Sequence, residues 1–220
     1  NNGTLSNLSV TDTIGTLSLS SRTARDYFLD GNFTAGPATW TATSGNFDIE
    51  TFNEVRFIRP LTSAGDAGDL IHSTNLLNVS SGTWGFTHRI SNAACATAGS
   101  RCLIYWFHRL GNNSYSVQIL RVGSAHEVQI VVTSAGTDTI LTAASITLAA
   151  DTNYDWRMSK NSSGDMYLYQ DGVLISSAAD TSVTATGVVE IGISAPSAAS
   201  VKNFIGQISV YQYFSNGTTT

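Results

Sequence analysis

From about residue 45 to residue 214 the chain alternates apolar and polar positions with a period of two, and hardly any stretch repeats with the spacing of a helix. In a pleated strand successive side chains point to opposite faces, so a strand with one buried face reads apolar, polar, apolar. The clearest such stretches are residues 84–90, 103–110, 115–119, 128–132, 154–158, 166–170, 188–193 and 208–213. Together they predict an all-β fold of two stacked antiparallel sheets. Residues 103–110 are apolar or aromatic at nearly every position, which predicts a central strand covered on both sides.

Turn chemistry joins some of these strands. Asp171-Gly172 separates two strand-like runs, and a type I′ turn needs positive φ at both of its central residues, which this pair tolerates. Asn161-Ser162-Ser163-Gly164 marks another turn one strand earlier, so residues 154–160, 165–170 and 173–177 read as a three-strand meander. Residues 1–21 differ, with Asp12 their only charge before Arg22. We read residues 1–21 as an extended N-terminal segment and residues 22–220 as the sandwich. Leu5, Leu8, Val10, Ile14, Leu17 and Leu19 of the segment could add strands to its own sheet or be donated to a second copy of the chain.

The meander carries a resemblance. Asp151-Thr-Asn-Tyr-Asp-Trp156-Arg157, followed by Met166-Tyr-Leu-Tyr169-Gln-Asp171-Gly172 and a short strand of small residues to Ala178, resembles the laminin G-like modules of the concanavalin A-like lectin and glucanase superfamily. Phe28 to Phe33, Trp40 and Ser44 to Phe47 are similar to the opening of bacterial and archaeal members, and Phe204 to Tyr211 to their closing strand. The resemblance spans residues 27–214 and implies a jelly-roll β-sandwich whose concave sheet often carries a binding site. It also leaves room for Ca2+, for which Asp26, Asp30, Asp66 and Asp69 are candidate ligands, although none has the spacing of a dedicated loop. No cofactor is required.

Composition narrows the setting. The chain has 220 residues, of which 42% are hydrophobic and 12% charged, about half the usual ~25% charged. That balance excludes disorder. A net charge of −5 and the absence of any Lys/Arg run exclude a nucleic-acid partner. No stretch approaches eighteen consecutive apolar residues, so no membrane span is expected. The opening Asn1-Asn2-Gly3 lacks the pattern of a signal peptide, as in a processed, soluble chain. Cys95 and Cys102 have no second ligand pair for zinc and are read as a disulfide. Sequons begin at Asn2, Asn7, Asn32, Asn78, Asn112, Asn161 and Asn216. With the cysteine pair they favour an extracellular, secreted or cell-surface location.

Catalysis is not expected. The glycoside hydrolases of the superfamily place Glu-x-Asp-x-Glu on one strand face, where two carboxyls can stand about 5 Å apart. The nearest match, Asn46-Phe-Asp48-Ile-Glu50, has an amide at the nucleophile position, and an amide cannot form the glycosyl ester. His72, His88, His108 and His126 occur singly, with no catalytic motif around them. Sugar recognition combines aromatic faces with amides and charged groups. Tyr105, Trp106, His108, Arg109, Asn112, Asn113 and Tyr115 provide these around one strand pair, while Trp84, Trp106 and Trp156 could equally be core aromatics. The expected function is adhesion or binding of glycans or cell-surface polymers. The alternative is a subunit of an extracellular filament or array, since the strands carry few of the lysines and prolines that guard sheet edges. A glycan-degrading enzyme is a distant third.

Overall fold

The computed structural model describes residues 8–12, 15–26, 40–44, 47–52, 54–60, 69–73, 81–90, 101–183, 188–193 and 203–215. Among these, all regular structure is strand. In chain order the strands are β1 (Leu8–Asp12), β2 (Gly15–Asp26), β3 (Trp40–Ser44), β4 (Phe47–Phe52), β5 (Val55–Pro60), β6 (Asp69–Ser73), β7 (Gly82–Ile90) and β8 (Arg101–Leu110). There follow β9 (Asn113–Val122), β10 (Ala125–Ser134), β11 (Thr137–Ile146), β12 (Asn153–Lys160), β13 (Asp165–Gln170), β14 (Val173–Ala179), β15 (Val188–Ile193) and β16 (Asn203–Ser215). One sheet runs β1-β2-β16-β7-β12-β13-β14, with β5 also paired to β16 and β4 to β5. The other runs β11-β10-β9-β8-β15-β6-β3. The architecture is the two-sheet antiparallel β-sandwich that the alternation predicts, and β8 lies fourth of the seven strands in its sheet.

Local chemistry sets the hairpins. Asp171 and Gly172 both have positive φ, 49° and 82°, the type I′ geometry expected between β13 and β14. Ala135 and Gly136 repeat it between β10 and β11 with φ of 50° and 82°. At the β12–β13 turn, Asn161 Oδ1 accepts from the amides of Ser163 and Asp165, each at 2.9 Å, and its Nδ2 donates to the Asp165 carboxylate at 2.8 Å. A short polar side chain thereby satisfies the turn's backbone donors.

Trp84 and Phe86 of β7 and Trp156 of β12 pack from one sheet against Tyr105 and Phe107 of β8 and Tyr115 of β9 from the other, and all six are buried. Phe86 stacks on Tyr105 at 4.4 Å, and Trp84 meets Phe107 at 5.1 Å. Each such pair contributes about 0.5–1.5 kcal/mol beyond the area it buries. Along one side, β11 and β14 bring the sheet margins together, where the Thr142 and Ser176 hydroxyls are 2.9 Å apart.

The N-terminal segment forms a hairpin on its own sandwich. Leu8 lies opposite Leu19 and Val10 opposite Leu17, and β2 continues through residues 21 and 22 to pair with β16. Leu5 and Ile14 lie outside the described residues, as do Cys95, Asn46, Asp30, Asp66 and the sequons at Asn2, Asn7, Asn32, Asn78 and Asn216. No described helix is long and apolar enough to cross a membrane.

Candidate functional site

A β-bulge builds the site. On β8 a first register shift lies between Arg101 and Leu103; the alternation then holds from Leu103 to Trp106, opposite Ser116 of β9, and slips again so that His108 faces Tyr115 and Arg109 faces Ser114. The extra residue turns Phe107 and His108 toward the opposite sheet and returns Arg109 to the face carrying Trp106. The Arg109 guanidinium lies over the Trp106 ring, 4.7 Å from its centroid. Of the four tryptophans, Trp40, Trp84 and Trp156 are core residues; Trp106 is half-buried and faces outward.

Trp106 and Arg109 line a groove of about 220 Å³ on the outer face of the seven-stranded sheet. Ser114 and Gln118 of β9 also line it, and both are buried although they face away from the opposite sheet. Across the groove the Thr133 hydroxyl donates to Asp138 Oδ1 at 2.7 Å, and Arg101 reaches Asp138 Oδ2 at 3.7 Å. Arg101 is on β8 and Asp138 on β11, with β9 and β10 between them. Arg101 pairs with Leu120 near one end of β9, whereas Asp138 lies in register with Thr133 and Ser114 near its other end, so a flat sheet would hold the two too far apart and this face is concave. The rim is fixed where two hairpin tips meet: Gly136 N–H donates to the Asn112 carbonyl at 2.9 Å, and Ala135 N–H to Asn113 Oδ1 at 2.9 Å.

The seven residues expected to bind glycan therefore divide. Trp106, Arg109 and Asn112 line the groove, and Asn113 braces its rim. Tyr105, His108 and Tyr115 face between the sheets with no accessible surface, out of reach of a ligand. Burial raises the Tyr105 hydroxyl far above its ordinary range. Burial, with Asp180 beside it, pushes Tyr115 up to about 12. The Tyr115 hydroxyl donates to Asp180 Oδ1 at 2.6 Å and accepts from Val183 N–H at 3.1 Å. Burial first, then the Lys160 ammonium, brings His108 down to about 4. Through these bonds Tyr115 pins the segment after β14 to the core.

Seven of the groove's lining residues, Ser114, Gln118, Arg101 and Asp138 among them, were not expected from the sequence. Ser114 and Gln118 belong to the polar set of β9 at alternate positions, a signal that was present but reads as ordinary solvent exposure. Arg101 and Asp138 come together only through the curvature of the sheet. Elsewhere, Asp48 is exposed and Glu50 half-buried on β4. His88 is fully buried, and His126 nearly so. No group of three His, Cys, Asp or Glu side chains suited to a metal is found among the described residues. Asp26 and Asp69 lie on β2 and β6. Of the two described sequons, Asn112 is exposed on the groove rim, whereas Asn161 is committed to its turn.

No protein-family model matches the sequence, and no curated protein is similar to it in sequence. Solved structures are similar in fold. A carbohydrate-binding module, CBM66 from Bacillus subtilis, superposes with a TM-score of 0.56 at 13% identity, over 78% of this chain and 94% of that one. The binding domain of botulinum neurotoxin serotype D gives 0.58 at 15% identity, over 79% of this chain and 43% of the toxin domain. The type G receptor binding domain gives 0.54 at 8% identity, over 79% of this chain and 42% of that one. This chain thus spans less than half of either toxin domain. At these identities the likeness shows the fold alone, a two-sheet β-sandwich.

Proposed function

We propose that the chain is a non-catalytic, laminin G-like β-sandwich that binds glycans outside the cell, in adhesion or attachment. The observation that carries this reading is the concave groove in which an outward-facing tryptophan, arginines and buried hydroxyl and amide groups converge, the combination that sugar hydroxyls and ring faces require. Neighbours named as a carbohydrate-binding module and as toxin receptor-binding domains support it. An oxidising location is supported by Cys102, which is buried and disulfide-bonded, with Cys95 as the chain's other cysteine. On a glycan array the protein is expected to retain at least one glycan, and Trp106→Ala to weaken that binding about 10- to 30-fold in calorimetry, the size of a binding hot spot. Retention of no glycan, or full affinity in Trp106→Ala, would refute the assignment to this groove.

A second reading, a subunit of a filament or array, is favoured by one observation. β1 ends the nine-stranded sheet among the described residues, and its sequence Leu8-Ser-Val-Thr-Asp12 has no Lys, Arg or Pro to discourage pairing. If copies join through this edge, Val10→Lys is expected to abolish regular polymers seen by electron microscopy. A monomer in sedimentation at every concentration tested would dismiss that reading.

A further inference from the structure

We propose that Asn112 is a glycosylation site whose N-linked glycan folds back into the groove and covers it. This rests on the extracellular, glycan-binding reading above and adds a regulation of that same site. Asn112-Asn113-Ser114 has the acceptor pattern. Asn112 stands exposed at the tip of the β8–β9 hairpin, directly after Gly111 with its φ of 58°. Its carbonyl accepts from Gly136 N–H at 2.9 Å, which fixes the backbone, while its side-chain amide makes no hydrogen bond among the described residues. Asn161, the other described sequon asparagine, differs, because its Nδ2 already donates to Asp165. The step is a transfer from a lipid-pyrophosphate-linked oligosaccharide. A bond forms between Asn112 Nδ2 and the anomeric carbon of the first sugar, and the bond from that carbon to the pyrophosphate oxygen breaks. Nδ2 gives up one proton, and the lipid pyrophosphate leaves with the electron pair. Ser114, whose hydroxyl completes the pattern, is buried in the folded sandwich, so the transfer precedes the packing of β9.

Position and tether make this modification a cover. Asn112 is itself part of the groove wall, beside Ser114 and Gln118 of the floor. Trp106, in the same wall, lies four residues before the end of β8 at Leu110, roughly 13 Å from the tip by the rise of a strand, which a short oligosaccharide spans. A glycan anchored at the rim meets the groove as an intramolecular ligand, at an effective concentration on the order of millimolar. Contacts too weak to hold a free sugar then suffice. At about 220 Å³ the groove is smaller than the ~300–1,000 Å³ of sites for drug-sized ligands, which suits a single sugar unit of the tethered chain. A glycan from outside has to displace that unit, so attachment at Asn112 lowers the affinity for external ligands.

The test compares the full chain secreted from yeast, which attaches N-glycans, with the full chain made in a bacterial periplasm, which leaves it bare. Peptide mass spectrometry is expected to find Asn112 occupied in the first. Acrylamide quenching of tryptophan fluorescence reads the cover without any added ligand, because Trp40, Trp84 and Trp156 are in the core and Trp106 alone of the four faces outward. The glycosylated chain is expected to lose most of the quenching seen in the bare chain. It should regain it when an endoglycosidase trims every glycan to its first sugar, and in Asn112→Gln from the same yeast, whose other sequons remain available, with thermal unfolding unchanged. In calorimetry with the glycan best retained on an array, the bare chain is expected to bind about tenfold more tightly than the glycosylated one. An unoccupied Asn112, or quenching that its glycan does not alter, overturns the cover, while retention of an array glycan by the bare chain keeps the glycan-binding reading. Quenching lost on glycosylation, with no array glycan retained by the bare chain, upholds the cover and removes the external ligand.

Discussion

Gly164→Ala is expected to destabilise the protein by about 3–5 kcal/mol, a large part of the ~5–15 kcal/mol that holds a domain together. Two costs combine. Gly164 has φ of +89°, where a side chain strains the backbone, and a Cβ there would lie 2.6 Å from Thr181 Cγ2 and closer still to the Asp180 carbonyl oxygen. The backbone cannot withdraw cheaply, because Asp180 N–H donates to the Gly164 carbonyl at 3.1 Å and the Asp180 carboxylate receives the Tyr115 hydroxyl. Moving residues 180–181 therefore loosens an anchor in the core. Gly172→Ala is the control: its φ is +82° but nothing lies within 4 Å, so only the conformational cost of about 1 kcal/mol should appear. Urea midpoints of the two variants, at unchanged m, measure the difference. Equal midpoints would show that the packing against Asp180 contributes nothing.

Between pH 6.5 and 4 the protein is expected to lose about 2–3 kcal/mol of stability through His108. Its ring has no accessible surface, both ring nitrogens lack a hydrogen-bond partner among the described residues, and its pKa is brought down to about 4 by burial and then by Lys160. As pH falls below 6.5 the unfolded chain takes a proton that the folded chain refuses, so stability drops through this window and levels off below pH 4. Asp180 does not oppose the trend. Burial raises its carboxyl, but hydrogen bonds from Ser182 and Tyr115 and the nearby Lys160 ammonium outweigh burial and hold it below the usual range, so any stability it contributes is also lost, not gained, as pH falls. His126, also lowered by burial and then by Arg121, adds a slope of the same sign. His108→Leu is expected to lie within about 1 kcal/mol of the wild type at pH 7 and to lose most of the acid slope, leaving the part due to His126. An identical slope in the variant would show that another group governs acid unfolding.

The strands legible in the sequence are those whose residues alternate apolar and polar or, as in β8, are apolar almost throughout. β7, β8, β9, β10, β12, β13, β15 and β16 contain the eight stretches read from period two, and the Asp171-Gly172 turn was legible because its residues suit positive φ. β11 was not. It is the margin of its sheet, mostly exposed, with Ile140 at 55% accessibility, and it follows an Ala-Gly turn in which alanine holds a φ it ordinarily avoids. At the site, sequence proximity brought Trp106, Arg109 and Asn112 together correctly as neighbours of one hairpin. It could not separate them from His108, because strict alternation puts residues 106 and 108 on one face. The bulge reverses that assignment, and a bulge leaves no local mark when neither residue is glycine.

β16 lies between β2 and β7, with Ser215 opposite Leu19, so the nine-stranded sheet joins the two ends of the described chain across nearly its whole length. Contacts this distant in sequence make folding slow. During synthesis β2 has no partner on its inner side until residues 203–215 have left the ribosome. The sandwich therefore stays incompletely folded until β16 has been made, an interval in which a holding chaperone would have exposed strands to grip.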